Sequence, residues 1–122
     1  MDRLLESRCI DYVGELTRLY RGATPSFSLT ALVEHFGVAE VRERPLDRDA
    51  RLVRRSGQLI IEVNSLYAQA RQRLSIAHEL GHLIVDHCSP KPNEHWGKDD
   101  PAIESLCDRL ASAILSEDWD AS

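Results

Sequence analysis

The N-terminal part of the chain carries apolar side chains at helical spacing. Positions four, four, three and four residues apart place one apolar stripe along a helix predicted over residues 2–21. The stripe consists of Leu5, Cys9, Val13, Leu16 and Tyr20. Gly22 and Pro25 follow the stripe and are expected to end the helix, because neither residue type continues a helix readily.

A shorter helix is predicted over residues 30–36. Ser28 or Thr30 can cap its start, since a hydroxyl oxygen accepts a hydrogen bond from one of the first backbone N–H groups. Gly37 is placed to end it.

After Gly37 the pattern becomes that of β-strands. Three segments, at residues 38–46, 50–57 and 57–65, have the character of strands, and Ser56-Gly57 is predicted to form the turn between the last two. In the third strand apolar and polar residues alternate, although Ile60 interrupts the alternation.

The C-terminal half returns to helical spacing. A helix is predicted over residues 73–86, and a loop over residues 88–101, which contain three prolines and a glycine. Pro101 then opens a final helix through residue 115, with Asp99 or Asp100 as its cap. The apolar stripe of that helix comprises Ile103, Leu106, Leu110 and Ile114. Helices at both ends and strands between them predict a small α+β fold.

Composition places the chain among ordinary globular domains. Its 122 residues fit one domain over residues 1–122, with 43% hydrophobic and 29% charged residues. Apolar runs are only a few residues long, and the charged N-terminus lacks the apolar core of a signal peptide. Three cysteines, an odd number, argue against a disulfide framework. We therefore expect a cytoplasmic protein with reduced thiols.

Charge is distributed unevenly along the chain. The net charge of −5 gives no general attraction for nucleic acid. Residues 42–55 hold six arginines against three acids, whereas residues 98–122 hold seven acids against two bases. Both segments are interpreted as solvated surface, with a partner-docking face as the alternative. A helix-turn-helix reading of residues 28–46 is disfavoured, because Pro45 would cut the recognition helix short.

Residues 78–82, HELGH, carry the strongest chemical signal. Residues four apart lie on one face of a helix, so His78 and His82 project side by side and can hold one zinc ion. Glu79 lies beside them, where it can act on a water molecule. The string is the HExxH pattern of zinc metallopeptidases.

A catalytic zinc site needs a third protein ligand, and the last helix offers one. Glu104 is the candidate ligand, and Asp108, one turn later, can accept the free N–H of a ligating histidine. The alternative is that both are solvated acids. The remaining histidines, at 35, 87 and 95, are interpreted as structural or surface residues.

Two segments resemble the ImmA/IrrE family of zinc metallopeptidases. These are RQRLSIAHELGHLIVDH and IESLCDRLASAIL, and the likeness covers about residues 57–116. The resemblance implies a minimal gluzincin with His78, His82 and Glu104 as zinc ligands and Glu79 as the catalytic residue. It also implies a bacterial or phage cytosolic protease that cleaves a partner helix-turn-helix repressor. Such cleavage derepresses stress, mobile-element or phage-defence genes.

The chain departs from this family at several positions. The usual Ala after the ligand Glu is Cys107, the usual Phe is Leu110, and the usual Leu-Met-Pro ending is replaced by LSEDWDAS. A thiolate at Cys107, or at Cys88 on the following loop, is a candidate regulatory ligand in the open position of zinc. The alternative is that Cys107 is a small buried apolar residue.

The expected chemistry is peptide hydrolysis. Glu79 would accept a proton from the attacking water and deliver it to the leaving amine. Tyr67, or an arginine near Arg71, is a candidate oxyanion donor. The strand at residues 58–63 is predicted to be an edge strand that pairs with the substrate. The competing reading is an anti-repressor that binds its partner without cutting it and uses zinc only as a staple.

Overall fold

Four helices and one three-stranded sheet make up the part of the chain that the structure, a computed structural model, describes: residues 3–23, 29–90 and 100–116. The elements are α1 (Arg3–Ala23), α2 (Leu29–His35), β1 (Val38–Arg44), β2 (Ala50–Arg55), β3 (Gln58–Asn64), α3 (Gln69–Cys88) and α4 (Pro101–Ser116). The predicted α+β class is confirmed. Among these helices none combines the length and apolar character needed to cross a membrane.

Helix α1 buries the stripe that its sequence predicts. Cys9, Val13 and Leu16 lie in the core, and Leu5 and Tyr20 pack against it. The helix continues to Ala23, two residues beyond the predicted end, and Pro25 and Ser28 lie outside the described residues.

Helix α2 is a short element that ends where a glycine allows the chain to turn. Leu29 and Leu32 are its buried residues. Gly37 has a φ of +72°, a left-handed conformation that costs glycine little. Its N–H donates to the carbonyl oxygen of Glu34 at 3.0 Å, which closes the turn into β1.

The sheet has the strand order β1-β3-β2. β2 and β3 form the predicted antiparallel hairpin, and Ser56 and Gly57 adopt φ values of 53° and 79° in its turn. Two consecutive positive φ values are typical of the tight turns that match the twist of paired strands. β1 instead runs parallel to β3. The Arg-bearing segment after Gly37 is therefore a strand, and it supplies no recognition helix for DNA.

The prediction that residues 58–63 form an edge strand is wrong. β3 is the central strand, and β1 and β2 occupy both of its edges, so its backbone has no free edge to offer a substrate. Every residue of β3 after Gln58 is buried. A strand covered on both faces has no need of strict alternation, which explains why Ile60 interrupts it.

The sheet face opposite the helices is covered by arginine side chains around one buried carboxylate. Glu62 in β3 is fully buried and accepts hydrogen bonds from Arg51 Nε at 2.6 Å and Arg44 Nη1 at 3.1 Å. Arg55 lies 4.0 Å away. The hydrogen bond from Arg51 is the largest influence that lowers the pKa of Glu62. Three of the six arginines in residues 42–55 therefore lie within 4.0 Å of this one carboxylate.

Helices α1, α3 and α4 pack together over the other sheet face. The largest fully buried apolar side chains there are Leu32, Ile61, Leu80, Ile84, Leu106, Leu110 and Ile114. α3 begins at Gln69, four residues earlier than predicted. The sequence contains no sign of this first turn, because it is exposed and shows no apolar periodicity. Its last residue is Cys88, which was predicted to lie in the following loop. Most of that loop, residues 91–99 with His95, lies outside the described residues.

Candidate metal centre

Two imidazoles stand side by side on one face of α3. His78 and His82 are one turn apart, and their ring centroids lie 5.1 Å from each other in an edge-to-face arrangement. Both are partly buried, which limits the directions that the rings can take. The four-residue spacing alone produces this pair, since helical geometry places such residues on one face.

Helix α4 brings a carboxylate to both imidazoles. Glu104 Oε2 lies 2.7 Å from His78 Nε2, and Glu104 Oε1 lies 2.9 Å from His82 Nε2. Among the described residues, these three side chains form the one group of histidine, cysteine and acidic residues whose ligand atoms are close enough to share a metal ion, all within 4.8 Å of one another. Two nitrogens and an oxygen converge on a single point between the helices.

The position of Glu104 follows from how α4 starts and packs. Asp100 caps the helix, and its Oδ1 accepts hydrogen bonds from the backbone N–H groups of Ala102 at 2.9 Å and Ile103 at 3.4 Å. Ile103 and Leu106, on either side of Glu104, are buried in the core. The carboxylate therefore projects from the first turn of a helix whose start and rotation are both fixed.

A second acid on α4 holds His78 from the other side. Asp108 Oδ1 lies 2.7 Å from His78 Nδ1. When Nδ1 carries the proton and donates it to Asp108, the Nε2 lone pair is free to bind a metal. Burial opposes a charged imidazole at His78, but the hydrogen bonds to Asp108 and Glu104 outweigh it and raise the pKa of His78.

Glu79 is a buried carboxyl beside the imidazoles. Only 9% of its surface is exposed, and burial raises its pKa to about 7. The charge of His78 opposes this rise, and the carboxylate of Glu104 adds to it. A carboxyl that titrates near neutrality can both accept and return a proton, which suits a general acid–base residue.

The structure adds Arg48, a residue that the sequence analysis did not select. Its positive charge is the weakest of the four influences on the pKa of Glu79 and acts to lower it, while the exposed guanidinium itself pairs with Asp47 at 3.5 Å. Arg48 lies in the connection between β1 and β2, whose path is fixed by the buried Asn64 at the end of β3. The Asn64 amide donates to the carbonyl oxygens of Leu46 at 3.1 Å and Arg48 at 3.0 Å. No motif signals this residue, because only the tertiary fold brings that connection to α3.

The donor set suits zinc. Imidazole nitrogens and a carboxylate oxygen are common zinc ligands, and catalytic sites use three protein ligands. In a tetrahedral zinc site two such ligand atoms lie about 3.3 Å apart. To hold zinc, the observed separations of 2.7 and 2.9 Å need to lengthen only slightly. A small opening between the two helices or a small rotation of the Glu104 side chain is enough.

The two cysteines predicted as regulatory thiols lie outside this group of ligand atoms. Cys107 is fully buried where α4 meets Gly81 of α3, and burial is the main reason that its pKa is raised. Cys88, at the end of α3, packs against the core. These placements favour the alternative in which Cys107 is a small buried apolar residue.

The other predicted residues have structural contacts. The guanidinium carbon of Arg71 lies 3.7 Å from the ring centroid of Tyr67, and the same side chain donates to Asp49 at 3.2 Å. His35 joins α2 to α1 through a 2.7 Å hydrogen bond with the Tyr20 hydroxyl. His87 stacks on Tyr12 of α1, with ring centroids 4.4 Å apart.

Comparison with known proteins identifies the same region of the chain. The sequence profile of a peptidase family, described as the IrrE N-terminal-like domain, matches residues 27–117. This range contains the sheet, both imidazoles, Glu79 and the Glu104 helix. The curated proteins contain no significant match to the chain.

Proposed function

Because the chain belongs to the peptidase family of the IrrE N-terminal-like domain, we propose that it is a zinc-dependent endopeptidase. The observation that carries this proposal is the Glu104 carboxylate, which lies within 2.9 Å of the Nε2 atoms of both His78 and His82. A purely structural metal site needs no buried acid beside it, whereas this one has Glu79. The site therefore combines three candidate ligands with a candidate general base.

Each side chain has a separate task in the proposed reaction. His78, His82 and Glu104 would hold zinc, which when bound acidifies a water molecule and polarises the substrate carbonyl. Glu79 accepts the proton of the attacking water on its carboxylate and transfers it to the nitrogen of the leaving amine. Asp108 keeps His78 in one tautomer and orientation. Arg48 favours the ionised, proton-accepting form of Glu79.

We propose a helix-turn-helix transcriptional repressor as the substrate. The proposal rests on the family membership and on the resemblance of residues 57–116 to proteases of this kind. It places the protein in the cytoplasm, together with a DNA-bound partner. The net charge of −5 favours a protein partner over direct binding to DNA.

The test is a cleavage reaction with matched variants. The zinc-loaded protein is incubated with a candidate helix-turn-helix repressor, and fragments are identified by gel and by intact mass. Wild-type protein should produce two fragments, and Glu79→Gln should bind zinc equally well but cut at least 100-fold more slowly, in line with the loss of a general base. Glu43→Gln, at an exposed position of β1, serves as the control and should cut normally.

Two outcomes would contradict the proposal in different ways. Cleavage by Glu79→Gln at the wild-type rate would remove Glu79 from the mechanism. A stable complex of wild-type protein and repressor that yields no fragments would instead favour a non-cleaving anti-repressor, in which zinc only staples α3 to α4.

A further inference from the structure

Two of the three cysteines meet across the contact between α1 and α3. Cys9 is fully buried on α1, and Cys88 is the half-buried last residue of α3. Cys88 lies against the stretch of α1 that contains Cys9, because it lines a surface cleft together with Arg8 and Tyr12 of that helix. Each thiol also affects the pKa of the other. Neither residue takes part in the candidate metal centre.

The surroundings hold the two thiols in place. Tyr12, one turn after Cys9, stacks on His87, the neighbour of Cys88, with an angle of 16° between the ring planes. Cys9 belongs to the main core cluster, and Cys88 packs against that cluster. Cys9 and Cys88 are therefore held in place by the packing of α1 against the end of α3.

Only one of the two thiols is accessible to a dissolved reagent. Cys88 lines a surface cleft of about 340 Å³ together with Arg8, Tyr12 and His87. Cys9 has no exposed surface and lies behind it. This arrangement is that of an attacking thiol at the surface with a resolving thiol beneath it.

We propose that Cys9 and Cys88 are an oxidation site that closes to an intramolecular disulfide, joining α1 to the end of the metal-binding helix α3. The oxidant is a small hydroperoxide such as hydrogen peroxide. The Cys88 sulfur attacks one peroxide oxygen, the O–O bond breaks, and a sulfenic acid and one water form. The Cys9 sulfur then attacks the Cys88 sulfur, the S–O bond breaks, and the Cys9 proton leaves with the oxygen as a second water.

The surroundings of the two thiols determine which of them reacts with the peroxide first. Burial raises the pKa of both thiols, that of Cys9 to about 12. At Cys88 the neighbouring Cys9 thiol and the charge of Arg8 act to lower the pKa, whereas the charge of Glu15 adds to the rise. Cys88 is the thiol that reacts first because it lines the cleft, whereas Cys9 is fully buried. Its raised pKa makes the reaction slow compared with that of a fully exposed, low-pKa cysteine.

The experiment counts thiols in the full-length protein. The reduced protein is treated with hydrogen peroxide, denatured, alkylated and weighed by mass spectrometry. The expected product has lost two hydrogen atoms, takes up one alkyl group instead of three, and gives one unreduced digest peptide pair that contains Cys9 and Cys88. Its thermal midpoint should rise relative to the reduced protein, because the cross-link constrains the unfolded chain.

Variants make the assignment specific. Cys107→Ser should still form the cross-link, because Cys107 packs against Gly81. Cys88→Ser, at a partly exposed position, keeps the fold and should leave Cys9 alkylatable after peroxide. Cys9→Ala should leave Cys88 as a sulfenic or sulfinic acid without a cross-link. Wild-type protein that remains fully reduced in excess peroxide, accumulates Cys88 sulfinic acid beside a free Cys9, or links only between chains would overturn the proposal.

Discussion

Gly81 and Cys107 mark the closest approach of α3 to α4. A Cβ atom built on Gly81 would lie 3.1 Å from both the Cα and the carbonyl oxygen of Cys107. Gly81 lies in the HELGH string between the two histidines, and Cys107 is one turn after Glu104. The glycine of the motif therefore allows α4 to approach until its carboxylate reaches both imidazoles.

Replacing Gly81 by alanine is expected to disturb both the fold and the metal site. The added methyl would meet backbone atoms, which cannot rotate away, so α4 must move outward. Overpacking of this kind costs about 1–3 kcal/mol, which urea unfolding would show. Zinc affinity, followed by calorimetry, should fall as Glu104 withdraws.

Gly14→Ala in α1 is the matched control. A Cβ there would lie 3.6 Å from Arg18 Nη1, an ordinary contact with a flexible side chain. Because alanine also favours helix more than glycine does, this variant should be neutral or slightly stabilising. Equal stability and zinc affinity for the two alanine variants would show that the Gly81 contact has no such role.

Asp108→Asn tests the carboxylate that holds His78. The variant keeps the size of the side chain but removes its charge, so the 2.7 Å contact with His78 Nδ1 weakens. Loss of such a partner commonly lowers metal affinity about 10–100-fold. Competition with a chromogenic chelator would measure the change. Zinc affinity identical to that of Glu43→Gln would exclude an orienting role for Asp108.

The Glu62 cluster predicts how stability falls in acid. The pKa of Glu62 is lowered from 4.5 in the folded protein, chiefly by the hydrogen bond from Arg51. The carboxylate therefore contributes stability above pH 4.5 that is lost as the pH falls through the lowered value. Glu62→Gln should cost about 2 kcal/mol at neutral pH, below the full cost of breaking a buried pair because the guanidiniums are partly exposed.

The pH profile separates this effect from a general loss of packing. The stability difference between wild type and Glu62→Gln should shrink as the pH is lowered below 4.5, in urea titrations at each pH. Glu40→Gln, which breaks the exposed pair with Arg42 on β1, should change stability by less than about 1 kcal/mol. If the loss of unfolding free energy in Glu62→Gln stayed the same at every pH, ionisation of Glu62 would not be the source of that loss.

Metal removal should abolish cleavage without unfolding the chain. Outside the metal site, α3 and α4 also pack through a buried apolar core, so chelation should leave the circular dichroism spectrum unchanged. Zinc at 100 times its dissociation constant should add about 2.7 kcal/mol, seen as a higher thermal midpoint. Glu104→Gln should lose most of this gain. Unfolding upon chelation would show that the metal is required for the fold itself.

The sequence predicted those parts of the site that depend on local geometry. The HELGH spacing alone puts His78 and His82 on one helix face, and the cap at Asp100 was visible beside Pro101. Pairing of the two helices then depends on the close contact at Gly81, which no periodicity reveals. Sequence spacing and the family resemblance therefore selected Glu104 as the third ligand, but its contact with both imidazoles became visible only in the structure.

The order of the strands and the paths of the loops could not be predicted from the sequence. Alternation predicted the strand at residues 58–63, but its edge position was inferred only from an expected pairing with substrate, and Ile60 was the signal of a strand covered on both faces. The parallel pairing of β1 with β3 links residues across an intervening strand, and spacing along the chain does not encode it. Asn64 fixes the path of the loop that carries Arg48 through a hydrogen bond to the Arg48 carbonyl oxygen, a contact between residues sixteen apart in the chain.

The order of strands also determines which edges of the sheet are open to pairing with a second copy of the chain. Among the described residues, the sheet leaves one edge of β1 and one edge of β2 open. β2 carries Arg51, Arg54 and Arg55, so a second copy that docked along β2 would bring like charges together. Charged edge strands oppose the growth of a sheet from chain to chain. The arginines of β2, two of which also surround Glu62, therefore disfavour pairing of this edge with a second copy of the chain.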